Sequence, residues 1–185
     1  MKIRLEKLDR CVTPELYDMY QDIPKRETGS HNILNGVDYK EFERICNELI
    51  KEENLINEKL NTTTNRYILY DDNKPIGEVG IRTTRNEFWV NSGSQIYYKI
   101  RTSERGKGYG NIILTLALKE AKKLGFEKIR VNCDDNNIAS KKIILKHNGV
   151  IDIKNYKTKD GTSSSYIIKL DWINIYNKKN KKILK

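Results

Sequence analysis

Arg105-Gly106-Lys107-Gly108-Tyr109-Gly110 is the stretch of this chain best equipped for chemistry, because three glycines alternate there with two cations and an aromatic ring. A glycine lets backbone approach a ligand where a side chain would block it, and alternating glycines leave several N–H groups free to point at one anion. Apolar residues at helical spacing begin just after Gly110, so a helix would add its positive dipole end, and Arg105 and Lys107 add full charges. The chemistry implied is phosphate binding, and spacing narrows the kind. A nucleoside-triphosphate loop needs two glycines five positions apart, then Lys and Ser or Thr, and no such pair follows the loop here. A dinucleotide fingerprint needs a third glycine three residues after its second; counted from either pair of glycines, that place is Asn111 or Ile113. A basic glycine-rich turn is also an ordinary surface loop, so its surroundings must decide.

Few other residues are equipped for catalysis. Glu78, beside Gly77 and Gly80 in a central hairpin, is a candidate base whose alternative is a paired surface carboxylate. Asp134, just past the end of its strand, is a second candidate and can equally cap the following helix. Cys133 is a nucleophile in principle, but its place in a strand's alternation favours a packed cysteine. Tyr97 and Tyr98 are candidates to line a site, one of them belonging to the core. His31 in a loop and His147 at a helix end have no Cys or acidic neighbours at ligand spacing, so no metal site is expected.

The elements that must position these residues follow from periodicity. Met1 to Leu8 suits a first strand, and Thr13-Pro14-Glu15 starts a short helix to about Tyr20. Asp22 to Gly36 reads as a loop. Phe42, Ile45, Leu49 and Ile50 predict a second helix from Asp38 to about Leu55. Arg66–Tyr70 and Pro75–Arg82 form a hairpin around Asp71-Asp72-Asn73-Lys74. Phe88 to Val90 extends a second ribbon that returns through Asn91-Ser92-Gly93. In Gln95 to Arg101, Ile96, Tyr98 and Ile100 face one way and Tyr97, Lys99 and Arg101 the other, which is a half-buried strand leading into the glycine loop. Ile113, Leu116, Ala117, Ala121 and Leu124 then share a helical face that Gly125 ends. Ile129, Val131 and Cys133 alternate as the next strand, so a parallel crossover is expected between 95–101 and 128–133. Asn136-Asn137 opens a helix to His147, and Val150–Lys154 and Ser165–Leu170 are the last strands, turning at Asp160-Gly161. The expected class is α/β (α+β): a mixed, mostly antiparallel central sheet of about 6–7 strands flanked by about 4 helices.

With 185 residues, the chain is expected to form one domain over 1–170, followed by a basic extension over 171–185. A hydrophobic fraction of 37% and a charged fraction of 32% suit a globular protein, and no apolar run approaches the roughly 18 residues of a membrane helix. Met1 to Arg10 is too charged for a signal peptide, which makes a cytoplasmic location the expectation, without a membrane partner. Three cysteines, Cys11, Cys46 and Cys133, lack paired spacing, which argues against a disulfide framework and for small buried hydrophobes. A formal net charge of +10 invites nucleic acid, but basic residues are scattered among acidic ones except in Lys178-Lys179-Asn180-Lys181-Lys182. The shared abundance of Lys, Ile and Asn looks like a compositional bias, which argues against a nucleic-acid partner. The oligomeric state is not fixed by these residues, and a homodimer is one arrangement open to the chain.

Arg105-x-x-Gly108-x-Gly110 between a strand and a helix resembles the pyrophosphate-binding signature of the GNAT superfamily of N-acetyltransferases, and the order of elements is similar to that of the GNAT fold. The likeness covers about Arg66 to Leu170, most specifically Gly93 to Val150. Ile81-Arg82 with Asn86 resembles a poorly characterised bacterial branch of such proteins. The resemblance implies acetyl-coenzyme A as co-substrate, with the backbone of Tyr98, Lys99 and Ile100 pairing with the pantetheine arm. It likewise implies Arg105, Gly106, Lys107, Gly108, Tyr109 and Gly110 around the pyrophosphate, with Asn137 and Ser140 contacting the pantetheine and phosphate end. Many relatives carry a proton-donating tyrosine seven residues after the Asn, where this chain has Ile144. The reading is an N-acetyltransferase (EC 2.3.1 class) moving acetyl by direct attack to a primary amine on a small molecule or a protein. Its rival is a non-catalytic acyl-coenzyme A sensor of the same fold.

Overall fold

The computed structural model describes residues 2–9, 12–27, 30–56, 61–83, 93–158 and 161–173. Cys11, Asn86, the ribbon expected at Phe88–Val90 and the basic run from Lys178 lie outside them.

Local sequence rules set the helix starts. Thr13 Oγ1 accepts from Leu16 N at 3.3 Å and Pro14 occupies the first turn, opening α1 (Pro14–Asp22). Asp38 Oδ1 accepts from Glu41 N at 2.8 Å and opens α2 (Tyr39–Lys51). Between them lies a small ribbon, β2 (Arg26–Glu27) and β3 (Ser30–His31), inside the segment expected to be loop. Two-residue strands are too short to leave a periodic signal. The remaining elements follow the expected order: β1 (Ile3–Lys7), β4 (Thr64–Asp71), β5 (Lys74–Arg82), β6 (Ile96–Ile100), a 3-10 turn (Thr102–Glu104), α3 (Tyr109–Lys123), β7 (Lys128–Asp134), α4 (Ile138–Lys146), β8 (Val150–Thr158) and β9 (Gly161–Lys169).

The strands form two antiparallel sheets, ordered β1-β4-β5-β6 and β7-β9-β8, beside the β2–β3 ribbon. Gln95, just before β6, joins the two. Its N–H donates to Arg130 O (2.9 Å), and its side-chain Oε1 accepts from Arg130 N (2.7 Å). Ser94 Oγ accepts from Asn132 N at 3.0 Å. The crossover through α3 thus brings β6 and β7 together at one end, and the two strands continue in separate sheets.

One core lies where α3 and α4 cover the sheets. Ile96, Ile113, Ala117, Ala121, Ile129, Val131 and Ile144 are buried in it, with Tyr98 and Ile100 packed against it. Leu114 and Leu118 join them, whereas Leu124, expected on the same face, is 38% exposed at the helix end. The packing runs past Leu170 to Ile173. A second core joins Leu16, Met19, Tyr20, Phe42 and Cys46 of α1 and α2 to Ile68 of β4. Phe42 meets Tyr17 edge-on, with ring centroids 5.3 Å apart. Sandwiched between the two cores, β5 is buried on both faces, with Val79 and Ile81 in the first core and Glu78 and Gly80 under α1. No helix among the described residues is long and apolar enough to cross a membrane.

A Cβ at Gly80 would fall inside the Tyr97 ring, which lies flat across this glycine from the neighbouring strand. The ring is enclosed and cannot swing away, so Gly80→Ala is expected to cost about 1–3 kcal/mol. Urea denaturation checks this: the midpoint should fall with the slope unchanged.

Candidate active site

After Ile100 the chain turns through Arg101 and the 3-10 turn into the glycine loop. Gly106 (φ +76) and Gly108 (φ +87) are both left-handed, and a Cβ at either would meet nothing within 4 Å. Glycine is required there for conformation rather than for space. Gly108 is the N-cap of α3 and supplies no side-chain acceptor, so no side chain consumes the first-turn N–H groups of Tyr109 and Gly110. Those groups, with the helix dipole, can serve an anion.

The loop's cations are already engaged. Arg105 Nη1 and Nη2 donate to Glu27 Oε1 and Oε2 at 2.5 and 2.6 Å, and its Nε donates to Ile100 O at 3.1 Å. Lys107 Nζ donates to Glu104 Oε2 at 2.9 Å, while Lys74 Nζ donates to Glu104 Oε1 at 2.5 Å. The Lys74 and Lys107 bonds hold the Glu104 carboxyl below its usual range. Lys99 Nζ donates to His31 O at 2.6 Å, and Tyr109 OH donates to Asp71 Oδ2 at 2.6 Å. The side-chain charges that the sequence pointed at phosphate are thus balanced by carboxylates, and the backbone is the part of the loop left to hold an anion.

Beside the loop runs a strand edge. Arg82 N donates to Gln95 O and Arg101 N to Ile76 O, which sets the odd-numbered residues of β6 toward β5. By antiparallel alternation the N–H and C=O of Tyr98 and Ile100 face the other way, toward β7. The Tyr98 ring lies on the α3 side of the sheet, and its hydroxyl shares a 2.8 Å hydrogen bond with Ser140 Oγ. Ser140 N in turn donates to Asn137 Oδ1 at 3.0 Å, the cap of α4. Tyr98, Asn137 and Ser140 therefore meet across the interval between the sheets. Gly110 lies against α4, where a Cβ would stand 2.8 Å from Ile143 Cδ1.

On the α1 face, Tyr97 OH donates to Glu78 Oε1 at 2.7 Å, and Arg66 Nε lies 3.7 Å from that same oxygen. Arg66 also donates to Glu52 Oε2 at 2.6 Å and to Leu49 O at 3.0 Å. The Arg82 guanidinium sits over the Tyr97 ring, 5.0 Å from its centroid. Burial alone would raise the Glu78 carboxyl, but Lys99, Arg66 and the Tyr97 hydroxyl together hold it below its ordinary value. Tyr97 is pushed up by burial and by Glu78. The fully buried Tyr20 hydroxyl beside Glu78 is raised for the same two reasons, and makes no hydrogen bond of regular geometry.

The other candidates lie apart from the Glu78 cluster. Asp134 Oδ1 accepts from Ser163 Oγ at 2.7 Å, and Asn137 rather than Asp134 caps α4. Burial pushes the Cys133 thiol up, away from a thiolate nucleophile, and Cys46 is likewise a buried free cysteine, its thiol raised to about 12. His147 is buried, bonded to Thr115 Oγ1 and Ile143 O at 2.8 Å each. Ile144 is fully buried beneath Gly149 and serves as core. Among the described residues no group of three His, Cys, Asp or Glu could hold a metal ion.

Residues the sequence did not single out surround the loop: Glu27, Glu104 and Asp22. Asp22 Oδ2 accepts from Arg101 Nε (2.9 Å) and Ser103 Oγ (2.6 Å), and Asp22 O accepts from Thr102 Oγ1 (2.7 Å). Only the three-residue spacing of Glu104 and Lys107 was a readable signal.

Residues 16–149 match the model of the acetyltransferase (GNAT) family. No curated protein matches the chain by sequence. Among solved structures, a spermidine N-acetyltransferase chimera of Vibrio cholerae SpeG and hSSAT is 15% identical, with a TM-score of 0.64 over 92% of this chain and 96% of that one. The ribosomal α-N-protein acetyltransferase RimL, in complex with coenzyme A, is 13% identical with a TM-score of 0.66 and the same coverage. An N-acetyltransferase from Staphylococcus aureus Mu50 is 18% identical, with a TM-score of 0.60 over 92% of this chain and 100% of that one. These likenesses show a shared fold.

Glu78→Gln removes one of the two carboxylates that face the shielded Arg66, which keeps its 2.6 Å bond to Glu52, so the variant is expected to destabilise the protein at pH 7 by about 1–3 kcal/mol. A carboxyl depressed on folding adds stability that is complete above its unfolded pKa and lost as pH falls through the folded value. Urea titrations at pH 7 and in the acid range should therefore show the gap between wild type and Glu78→Gln narrowing on acidification.

Proposed function

Since the chain belongs to the acetyltransferase (GNAT) family, we propose that it moves acetyl from acetyl-coenzyme A to a primary amine by direct attack. The observation that carries this reading is the β6 edge, turned away from β5 at Tyr98 and Ile100 and running into a left-handed glycine turn and an uncapped helix. An extended pantetheine arm would find a strand-like partner in Tyr98 to Ile100, and the pyrophosphate would find the N–H groups of Gly106 to Gly110. Asn137 and Ser140 flank the same interval. When bound, the co-substrate supplies the activated acyl group; the chain supplies orientation and dipoles. A backbone N–H of β6 aimed at the thioester oxygen stabilises the charge that develops there.

Three side chains stand near enough to be weighed for proton transfer, and one of them is given it. Tyr98 is pushed up to about 12 by burial, and the departing thiol has a pKa of about 8.5–9, so proton donation from Tyr98 would run uphill. The thiolate then leaves without an acid, in keeping with Ile144 at the usual tyrosine position. Glu78 is enclosed and held ionised by its cations, which makes it a poor terminal acceptor; its role in this proposal is to fix the Tyr97 hydroxyl. Asp134, half-buried at the end of β7, is the carboxylate proposed to take the amine proton, directly or through water. The acceptors of SpeG and RimL, a polyamine and a protein amine, mark the two classes to try first.

Saturating acetyl-coenzyme A is expected to stabilise the protein by about 2.7 kcal/mol at a hundredfold excess over Kd, read as a rise in Tm. Gly108→Val, which forces a branched residue into the left-handed region, should remove the shift; an unchanged wild-type Tm would discard the proposal. For the chemistry, Asp134→Asn is expected to lower kcat by about a hundredfold or more, while leaving the acetyl-coenzyme A shift intact. Release of free thiol across a panel including spermidine and a serine-initiated peptide measures it, and a sensor would release none.

A further inference from the structure

Resting on the donor reading above, we propose that Glu27 is a latch on the donor site: its carboxylate and the donor's pyrophosphate compete for the guanidinium of Arg105, so that donor binding frees the β2–β3 ribbon. Arg105 is the first residue of the phosphate loop, yet both of its terminal nitrogens are spent on Glu27 at 2.5 and 2.6 Å. A guanidinium has two such two-pronged edges, and here Ile100 O already takes the Nε of one, which leaves the Nη1–Nη2 edge as the one that a carboxylate or a phosphate, its two best-matched partners, can hold whole. One must leave when the other arrives.

The ribbon is built to be released locally. Its root is fixed by Asp22, which accepts from Arg101 and Ser103 and whose carbonyl takes the Thr102 hydroxyl. Those side chains belong to the turn before the loop and need not move. Farther out, Glu27 and Arg105 are 38% and 36% exposed, against 26% and 15% for Asp22 and Arg101. A wet ion pair breaks at small cost, whereas the shielded root holds. The second outer fastening is Lys99 Nζ on His31 O, from the strand that lies along the donor path. These two outer fastenings thus join the ribbon to residues that the donor is proposed to touch, and the three root bonds at Asp22 avoid them. Competition of this kind taxes the donor's apparent affinity by the fraction of molecules latched. Linkage requires that a donor which releases the ribbon binds better when the ribbon is already free.

The test measures the acetyl-coenzyme A dissociation constant by calorimetry for the wild type, Glu27→Gln, Arg105→Gln and the double variant. Glu27→Gln is expected to bind two- to fivefold more tightly than the wild type, and this gain should vanish in the Arg105→Gln background, where nothing is contested. Amide exchange reads the ribbon directly: the donor should speed exchange at the ladder amide of Glu27 in the wild type, and the same position in Glu27→Gln should exchange fast without it. Equal or weaker binding by Glu27→Gln overturns the latch, because Glu27 then merely holds Arg105 in place. A gain that persists without Arg105 also overturns it, marking a general field effect, as does protection of the ribbon by the donor. Failure of every variant to bind acetyl-coenzyme A sinks the donor reading and the latch together; binding with no difference between variants sinks the latch alone.

Discussion

The architecture turns on what Gln95 does to two strands that would otherwise zip together. Its backbone N–H and its side-chain oxygen close on the carbonyl and amide of the same residue, Arg130, and Ser94 Oγ takes the amide of Asn132, so side chains replace the ladder at the junction and strand pairing does not propagate. Gln95 and Arg130 are buried there, at 7% and 8% exposure, where an unmade hydrogen bond would be costly. A side chain standing in for the next residue of a ladder ends the ladder. From that point β6 and β7 belong to different sheets, and the Tyr98 groups and the Ile100 N–H that a continuous sheet would have consumed remain at an edge, while Ile100 O takes Arg105 Nε. An open edge is ordinarily a liability. Here it lies between two helices and a loop, so that it suits an extended ligand arm rather than another strand.

The opposite face of the same strand carries a different constraint. Glu78, Arg66 and Tyr97 are charges and hydroxyls placed under α1, in a region that could have been filled with hydrocarbon. Buried ion pairs of this sort break even at best against an apolar substitute. Their yield is orientation: the Tyr97 ring fills the space over Gly80, and its hydroxyl is tied to Glu78. With Arg82 stacked on that ring, the position of the β6 side chains nearest the junction is set from three sides. A carboxylate so firmly partnered fits the positioning role proposed for it above.

Much of this was legible before any coordinates. The caps at Thr13, Asp38 and Asn137, the hairpin turning at Asp72-Asn73 and the alternation of β6 are local rules, and local rules survive folding. The glycine loop was legible for the same reason, since the left-handed φ that Gly106 and Gly108 adopt is one that glycine takes without strain. What could not be read was pairing at a distance. Glu27 and Arg105 stand 78 positions apart, Arg101 and Asp22 79 apart, and no spacing rule connects them. The split of the sheet was hidden too, because periodicity reports which face of a strand is buried and not which edge is used. Leu124 shows the converse limit: its period fits the apolar face of α3, but the helix ends there and solvent covers it.

Those distant pairs change what the loop's charge means. A formal net charge of +10 suggests a surface that draws in anions by field alone. Around the loop the field is mostly cancelled: Arg105 faces Glu27, Arg101 faces Asp22, and Lys74 and Lys107 share Glu104. A bare anion passing in solution meets near-neutral side chains, and only a ligand long enough to lie along β6 and end at the N-terminus of α3 collects the backbone donors as well. Selectivity of this kind comes from length and shape. On the donor reading proposed above, it would favour a molecule with an extended arm and a phosphate end over phosphate itself.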